Sequence, residues 1–82
     1  MSTQKVSVSQ IKAARALLGW SQDELANRSG VSQPTIKRLE AKGGDIGGRA
    51  ETGAKMRAAL EKAGIEFING DAPGVRLRKK KR

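Results

Sequence analysis

The sequence predicts a mainly α-helical domain with four short helices and a short C-terminal β-hairpin or pair of β-strands. Two capping signals, at Ser7 and Ser21, each stand directly before a helical run. Further along the chain, apolar residues recur at helical spacing after a glycine-rich segment, and the last part alternates apolar and basic residues. The chain has 82 residues, which is enough for one small domain and too few for two.

The first helix is predicted to begin after Ser7 and to end at Gly19. Ser7 and Gln10 have the spacing of a capping box, in which each side chain accepts the other residue's backbone N–H. Apolar residues then follow at i, i+3 and i+7 on one face: Ile11, Ala14 and Leu18. Glycine is the common residue directly after a helix, because it adopts the left-handed conformation without strain.

The second helix, over residues 22–28, carries the stronger start signal. Ser21 and Glu24 predict a second capping box. Trp20 and Leu25 stand at the two positions of a hydrophobic staple, in which a residue before the helix packs against its first turn. We therefore expect the tryptophan to pack inside the protein rather than to stack on a base.

The third helix is predicted over residues 33–41, after a short turn. Gly30 tolerates the left-handed conformation that a tight turn requires, and Ser32 is the expected N-cap. Pro34 falls in the first turn of this helix, where its missing N–H costs little. The second and third helices are thus separated by about four residues.

A glycine-rich loop over residues 43–48 precedes the fourth helix, which starts between residues 49 and 52 and ends at Gly64. Its apolar stripe consists of Met56, Ala59, Leu60 and Ala63. Residues 65–68 and 75–78 have strand patterns on either side of a turn-rich segment. The predicted parts of the chain are a flexible N-terminus (1–6), a helical domain (7–64), a β segment (65–78) and a disordered basic tail (79–82).

The candidate core is small, as in any chain of this length. It consists of Ile11, Leu17, Leu18, Trp20, Leu25, Val31, Ile36, Leu39, Met56, Leu60, Ile65, Phe67 and Ile68. Chains of this size bury only about 60% of their unfolded surface. We therefore expect the domain to be marginally stable alone and to gain stability by pairing.

Composition excludes several classes of function. The chain has no cysteine and no histidine, which excludes disulfides, zinc modules and a histidine general base. It also has no phosphate-binding glycine motif and no acid/base pair, so we expect no cofactor and no enzymatic activity. Neither a signal-peptide pattern nor an apolar run of about 20 residues is present, which predicts a cytoplasmic protein without a membrane partner.

The charge indicates a polyanionic partner. The 17 Lys and Arg residues outnumber the 8 Asp and Glu residues, which gives a formal net charge of +9. Nucleic acid is the first expectation and an anionic membrane the second, and the alternative is a solvated basic surface without a partner. Residues 78–82 are consecutive cations with three possible roles: tracking phosphates, entering a minor groove, or only keeping the chain soluble.

The second and third helices have the residue pattern of a helix-turn-helix. Two short helices cross steeply only where the residue at their closest approach is small, which Ala26 satisfies. The apolar residues that would join the pair to the rest of the domain are Leu25, Val31, Ile36 and Leu39. Residues 22–41 resemble the helix-turn-helix of the XRE family, the Cro and phage-repressor-like DNA-binding proteins, and the resemblance extends over residues 10–60. It implies a four-helix, lambda-repressor-like domain that binds double-stranded DNA.

The resemblance also implies roles for individual residues. Arg15 and Glu40 match positions that form a partly buried ion pair in this family. The third helix resembles the recognition helix, and the residues that match base-facing positions are Gln33, Pro34, Lys37 and Arg38. Gln22 matches a phosphate-binding position at a helix N-terminus. The remaining expected DNA contacts are Ser32, Thr35 and Lys42.

Side-chain chemistry sets what each base contact can read. Arg38 can donate two hydrogen bonds to guanine, and Gln33 can pair with the N6 and N7 atoms of adenine. Pro34 offers only an apolar contact, and Lys37 can reach either a base or a phosphate. The glycine-rich segment after the third helix either brings backbone amides to a phosphate or is a plain linker.

A homodimer is expected because one recognition helix reads only a few base pairs. The C-terminal strands are the candidate interface, since exposed strand edges pair readily with a second copy. The predicted residues of this dimer seam are Ile65, Phe67, Val75 and Leu77. In the alternative, the hairpin folds back on the helices of its own chain.

The resulting hypothesis is a dimeric repressor that acts by occluding a promoter. The chain leaves no room for an effector-binding domain, so we expect regulation through protein concentration, operator arrangement or a partner protein. The alternative function is that of an antitoxin or anti-activator, which would add its C-terminal strands to the sheet of an unknown protein partner. In that case DNA binding would be secondary.

Overall fold

The computed structural model describes residues 6–44, 50–69 and 72–78 of the chain. Its elements are α1 (Val8–Leu18), α2 (Gln22–Ser29), α3 (Gln33–Lys42), α4 (Ala50–Lys62), β1 (Ile65–Ile68) and β2 (Gly74–Leu77). The predicted class, four helices followed by a two-stranded hairpin, is confirmed. The second and third helices each extend one residue further than predicted, and β2 lies one residue earlier. None of the helices described is long and apolar enough to cross a membrane.

The serines of both predicted capping boxes, Ser7 and Ser21, are N-caps, but only one of the two boxes is complete. At α1 the capping box is complete, because Ser7 Oγ accepts from the Gln10 N–H at 3.1 Å and Gln10 Oε1 accepts from the Ser7 N–H at 2.9 Å. At α2, Ser21 Oγ accepts from the Glu24 N–H at 3.0 Å. The Glu24 carboxylate instead pairs with Arg28 at 2.6 Å. The second capping box is therefore half wrong, since the i,i+4 arginine takes the carboxylate.

The four helices and the hairpin share one core. Its buried residues are Val6, Ile11, Ala14, Leu25, Val31, Ile36, Met56, Leu60, Ile65 and Phe67. Trp20 packs against this core, as the staple predicted, and the Arg28 guanidinium lies 5.0 Å from the centroid of its ring. Val6 is buried although it was assigned to the flexible N-terminus, so the ordered domain begins before residue 7.

Two residues of the predicted core lie at the surface. Leu17, in the last turn of α1, is 47% exposed although Gln10, two turns earlier on the same side of the helix, is buried. Ile68 is 37% exposed because strand residues alternate between faces, and Ile65 and Phe67 occupy the inner one. Alternation therefore accounts for Ile68, whereas helical periodicity alone does not account for Leu17.

The hairpin folds back on the helices of its own chain, as the alternative from the sequence proposed. Strand β1 pairs with β2 in antiparallel register, with Ile65 opposite Leu77 and Phe67 opposite Val75. β1 packs against α4, and β2 packs against α1. Gly64, between α4 and β1, has φ +110°, and a Cβ there would lie 3.1 Å from the Arg78 carbonyl oxygen, so only glycine fits this connection.

The Gln10 side chain joins α1 to the hairpin. Its Nε2 donates to the carbonyl oxygens of Ile68 at 3.1 Å and Gly74 at 3.0 Å, which are the last paired residues before the hairpin turn. Its Oε1 accepts from the Ser7 N–H, so this buried amide uses both of its ends. The sequence predicted only the capping half of this arrangement.

Candidate nucleic-acid interface

The connection between α2 and α3 has the geometry of a tight turn. Gly30 adopts the left-handed conformation with φ +79°, and its N–H donates to the Ala26 carbonyl oxygen at 2.9 Å, which ends α2. The Ser29 hydroxyl accepts from the Val31 N–H at 3.1 Å. Val31 is buried in the core, so it anchors the turn between the two helices. The predicted conformation of Gly30 is confirmed.

The N-terminus of α3 is capped by the Ser32 side chain, which also contacts the Thr35 hydroxyl. Ser32 Oγ accepts from the Thr35 N–H at 3.4 Å and donates to Thr35 Oγ1 at 2.8 Å. Pro34 stands in the first turn, where no N–H is required. Both hydroxyls lie at the start of the helix, where Ser32 is exposed and Thr35 is half-buried.

α3 has a buried face and an exposed face. Ile36 is fully buried, Leu39 packs against the core, and Glu40 is 7% exposed. The other face carries the predicted DNA contacts, of which Pro34, Lys37, Arg38 and Lys42 are exposed and Gln33 is half-buried. The structure therefore brings the predicted contacts of this helix together on one surface.

Three cations of α3 have no carboxylate partner among the described residues, whereas several arginines on other elements do. In the described part of the chain, no carboxylate lies within ion-pair distance of Lys37, Arg38 or Lys42. Elsewhere the observed ion pairs are Arg15–Glu40, Arg28–Glu24, Lys55–Glu51, Arg57–Glu61 and Arg76–Glu66. The exposed face of α3 thus carries positive charge that these carboxylates do not neutralise.

Arg15 and Glu40 form the bidentate ion pair that the sequence implied. Arg15 Nε donates to Glu40 Oε2 at 2.9 Å, and Arg15 Nη2 donates to Glu40 Oε1 at 2.7 Å. Arg15 Nη1 also donates to the Trp20 carbonyl oxygen at 2.9 Å. Burial opposes ionisation of Glu40, but the hydrogen bonds from Arg15 and Gln22 and the charge of Arg15 outweigh it and lower the pKa of this carboxyl.

A chain of amide hydrogen bonds leads from this ion pair to the exposed face of α3. Gln22 Nε2 donates to Glu40 Oε1 at 2.9 Å. Gln33 Nε2 in turn donates to Gln22 Oε1 at 3.3 Å. The two glutamines with predicted DNA contacts are therefore in contact with each other, and Gln22 is also in contact with a buried carboxylate. Separate roles were expected for these glutamines from the sequence, which carries no signal for the link between them.

Comparison with known proteins assigns this arrangement to a family. The helix-turn-helix family model matches residues 11–48, which include most of α1 and all of α2, the turn and α3. These residues form an XRE-family helix-turn-helix. No curated protein sequence matches the chain. XRE-type helix-turn-helix domains belong to regulators of transcription that bind double-stranded DNA, and they are not an enzyme family.

Two of the predicted dimer residues are buried in the core, and two other predicted segments lie wholly or mostly outside the described residues. Ile65 and Phe67, predicted at a dimer seam, are buried in the core of their own chain, because the hairpin docks on α1 and α4. Val75 is half-buried, and Leu77 is 40% exposed. The predicted tail (79–82) and most of the predicted loop (45–48) lie outside the described residues.

Proposed function

We propose that the chain is a dimeric transcriptional repressor that inserts α3 into the major groove of operator half-sites and occludes a promoter. The observation that carries this proposal is the exposed side of α3, where Lys37, Arg38 and Lys42 have no carboxylate partner among the described residues and the Gln33 amide is half-buried. Lys and Arg that are not paired within the protein are available to phosphates and base edges. The carboxylates of these ion pairs bind cations on other elements, so they leave the positive charge of α3 available to DNA.

In this proposal, side chains of α3 read bases. Arg38 donates two hydrogen bonds to a guanine, and Gln33 pairs with an adenine. Pro34 packs on a thymine methyl group, and Lys37 reaches a base or the adjacent phosphate. The exposed position of Pro34, Lys37 and Arg38 supports these roles.

The phosphate contacts come from residues around α3. Gln22 stands at the N-terminus of α2, where backbone N–H groups and the helix dipole favour a phosphate. Ser32 and Thr35 offer hydroxyls at the N-terminus of α3, and Lys42 offers a charge at its C-terminal end. These contacts position the domain on the duplex without selecting sequence.

The β segment is the proposed means of dimerisation, since a single recognition helix reads too few base pairs. Two apolar residues of the hairpin, Ile68 and Leu77, are exposed. The two-stranded sheet also has an outer edge on each strand. Leu77 lies on the face of Ile65 and Phe67, and Ile68 lies on the opposite face. We therefore place the contact with a second copy at a strand edge of the hairpin, where side chains of both faces can take part, while Ile65 and Phe67 hold the strands to the core.

Selection of binders from a random duplex DNA pool tests the DNA-binding part. A two-fold symmetric motif with half-sites about 10 bp apart, or a multiple of that, is expected. Arg38→Ala is expected to lose discrimination at one base pair of each half-site. Lys42→Ala, the matched control on the same helix, is expected to weaken binding to all sequences alike. Retention that depends on salt but yields no motif would contradict sequence-specific regulation.

Sedimentation of charge-introducing variants tests the dimer. Ile68→Lys and Leu77→Lys place a charge on the exposed apolar residues of the hairpin and are expected to give monomers. Leu17→Lys is the control, because Leu17 is equally apolar and exposed but lies on α1. Dimers that persist in both hairpin variants, or that are lost in the α1 variant, would remove the hairpin from the interface.

A second candidate function rests on the same exposed hairpin. An antitoxin or anti-activator would add a strand edge of the hairpin to the sheet of a protein partner. A monomeric chain that binds DNA without a symmetric motif would favour this function over the repressor.

A further inference from the structure

We propose that Glu40 selects the base read by Gln33, acting through Gln22. This inference rests on the proposed function, because it assumes that Gln33 faces a base in the major groove. Glu40 and Gln22 are positioning residues in it: neither needs to touch the base that they select. The ion pair would then set sequence preference as well as join α1 to α3.

The first step is the hydrogen-bond polarity of the ion pair. An ionised carboxylate only accepts hydrogen bonds, and a guanidinium only donates them. Glu40 Oε1 accepts from Arg15 at 2.7 Å and from Gln22 at 2.9 Å. Gln22 must therefore turn its Nε2 toward Glu40, because its carbonyl oxygen would face a second acceptor there.

The second step concerns Gln33 on α3, whose hydrogen bonds depend on the orientation of Gln22. With its nitrogen held by Glu40, Gln22 presents its Oε1 to Gln33, which donates to it at 3.3 Å. One of the two hydrogens of Gln33 Nε2 is thereby occupied. Gln33 retains one N–H and its Oε1 for a partner, so it offers one donor and one acceptor to the outside.

The third step is the match with base edges in the major groove. Adenine presents an acceptor at N7 and a donor at N6, which complement one donor and one acceptor. Guanine presents acceptors at both N7 and O6. To satisfy guanine, Gln33 would have to donate both hydrogens of Nε2 and break its bond with Gln22. The hydrogen bond chain therefore favours adenine and disfavours guanine at this position.

The variant Gln22→Met tests the middle of the chain. Gln22 is half-buried, and Met retains its approximate size, so the ion pair and the fold are expected to remain. Gln33 then has both hydrogens available. In selection from a random duplex pool, we expect the ratio of adenine to guanine at one position of each half-site to fall on the order of tenfold. The preferences at the other positions should stay unchanged.

The double variant Arg15→Met with Glu40→Met tests the origin of the chain. It removes both charges together, which avoids leaving one buried charge alone. Gln22 loses the acceptor that orients it, so the same fall in the adenine-to-guanine ratio is expected at the same position. Lys42→Met is the matched control: it is expected to weaken binding to every sequence without changing this ratio.

The outcomes separate this inference from the function on which it rests. A parent protein that selects no motif overturns both. A parent motif whose adenine preference persists in the folded Gln22→Met protein and in the folded double variant overturns the role of Glu40 alone. A ratio that falls as far in Lys42→Met also overturns it, because the effect would then follow from weaker binding in general.

Discussion

Two polar side chains of α1, the half-buried Arg15 and the buried Gln10, hold distant parts of the chain by different physical means. Arg15 forms a bidentate ion pair with Glu40 of α3, 25 positions away. Gln10 is uncharged and donates to the carbonyl oxygens of Ile68 and Gly74, 58 and 64 positions away. The first tie joins two helices of the DNA-binding motif, and the second joins that motif to the hairpin.

The difference shows that the cost of breaking a contact inside the protein depends on the group that remains when one partner is lost. Loss of Arg15 leaves a carboxylate that is expensive to keep ionised away from water. Loss of the Gln10 amide leaves two backbone carbonyls that are polar but uncharged. In the described part of the chain every buried side-chain nitrogen or oxygen has a hydrogen-bond partner, so the loss of either contact would remove a bond that the fold uses.

The largest effect is expected from Arg15→Met. It should lower the free energy of unfolding by about 3 kcal/mol, because Glu40 remains buried without its counter-charge. Urea denaturation at neutral pH measures this value. Adding Glu40→Met should recover most of the loss. A double variant as unstable as the single one would show that packing, rather than the unpaired charge, is responsible.

Gln10→Ala is expected to have the next largest effect. It should lower the free energy of unfolding by about 2 kcal/mol, since the part-buried carbonyls of Ile68 and Gly74 lose their side-chain donor. Gln10→Glu separates the two roles of Gln10, because a carboxylate still accepts from the Ser7 N–H but cannot donate to the hairpin. Urea denaturation should find the glutamate variant at least as unstable as the alanine variant. Parent-like stability in Gln10→Glu would assign the role of Gln10 to capping alone.

Acid should weaken the ion pair between Arg15 and Glu40 and leave the hydrogen bonds of Gln10 unchanged. The pKa of Glu40 is lowered in the folded state from its usual value of 4.5, so its contribution to stability is present above that value. The contribution is lost as the pH falls through the folded pKa. Unfolding measured from pH 6 to pH 2 should therefore show a smaller acid loss in Arg15→Met with Glu40→Met than in the parent. Gln10→Ala should retain the parent's pH dependence, since Gln10 does not titrate.

The smallest effect is expected from Glu66→Gln on the outer face of the hairpin. Its hydrogen bond from Arg76 lowers the pKa of Glu66, but both side chains are solvated. Exposed ion pairs contribute little to stability. Thermal unfolding should place this variant nearer to the parent than any variant above. A loss comparable to that of Gln10→Ala would mean that the outer face of the hairpin is buried in the protein in solution, for example by a second copy.

Local signals predicted the helices well, and long-range contacts account for what was missed. The caps at Ser7 and Ser32 and the left-handed Gly30 depend on neighbours within a few residues, so the sequence alone indicates them. The Arg15–Glu40 pair joins distant positions and was reached only through resemblance to a family. The second role of Gln10 depends on where β1 and β2 dock, which no periodicity encodes.

For the predicted site, the residues on the exposed side of α3 were reached through the resemblance to a family, whereas the packing of the hairpin was left open by the sequence. Alternation indicated strands but not which of their faces would be covered by α1 and α4. Ile65 and Phe67 therefore suited a dimer seam and a core equally well in the sequence, and they lie in the core. The contact between Gln22 and Gln33 required the crossing of α2 and α3 to be known.

The contact between Gln10 and Gly74 also has a consequence during protein synthesis. A ribosome completes residues 11–48, the whole DNA-binding motif, before it adds the two strands that supply Ile65 and Phe67 to the core. Until then α1 lacks the hairpin that its amide binds, and the nascent motif lacks part of its apolar packing. The complete core therefore forms only after both strands have left the exit tunnel, so the DNA-binding motif reaches its full packing late rather than segment by segment.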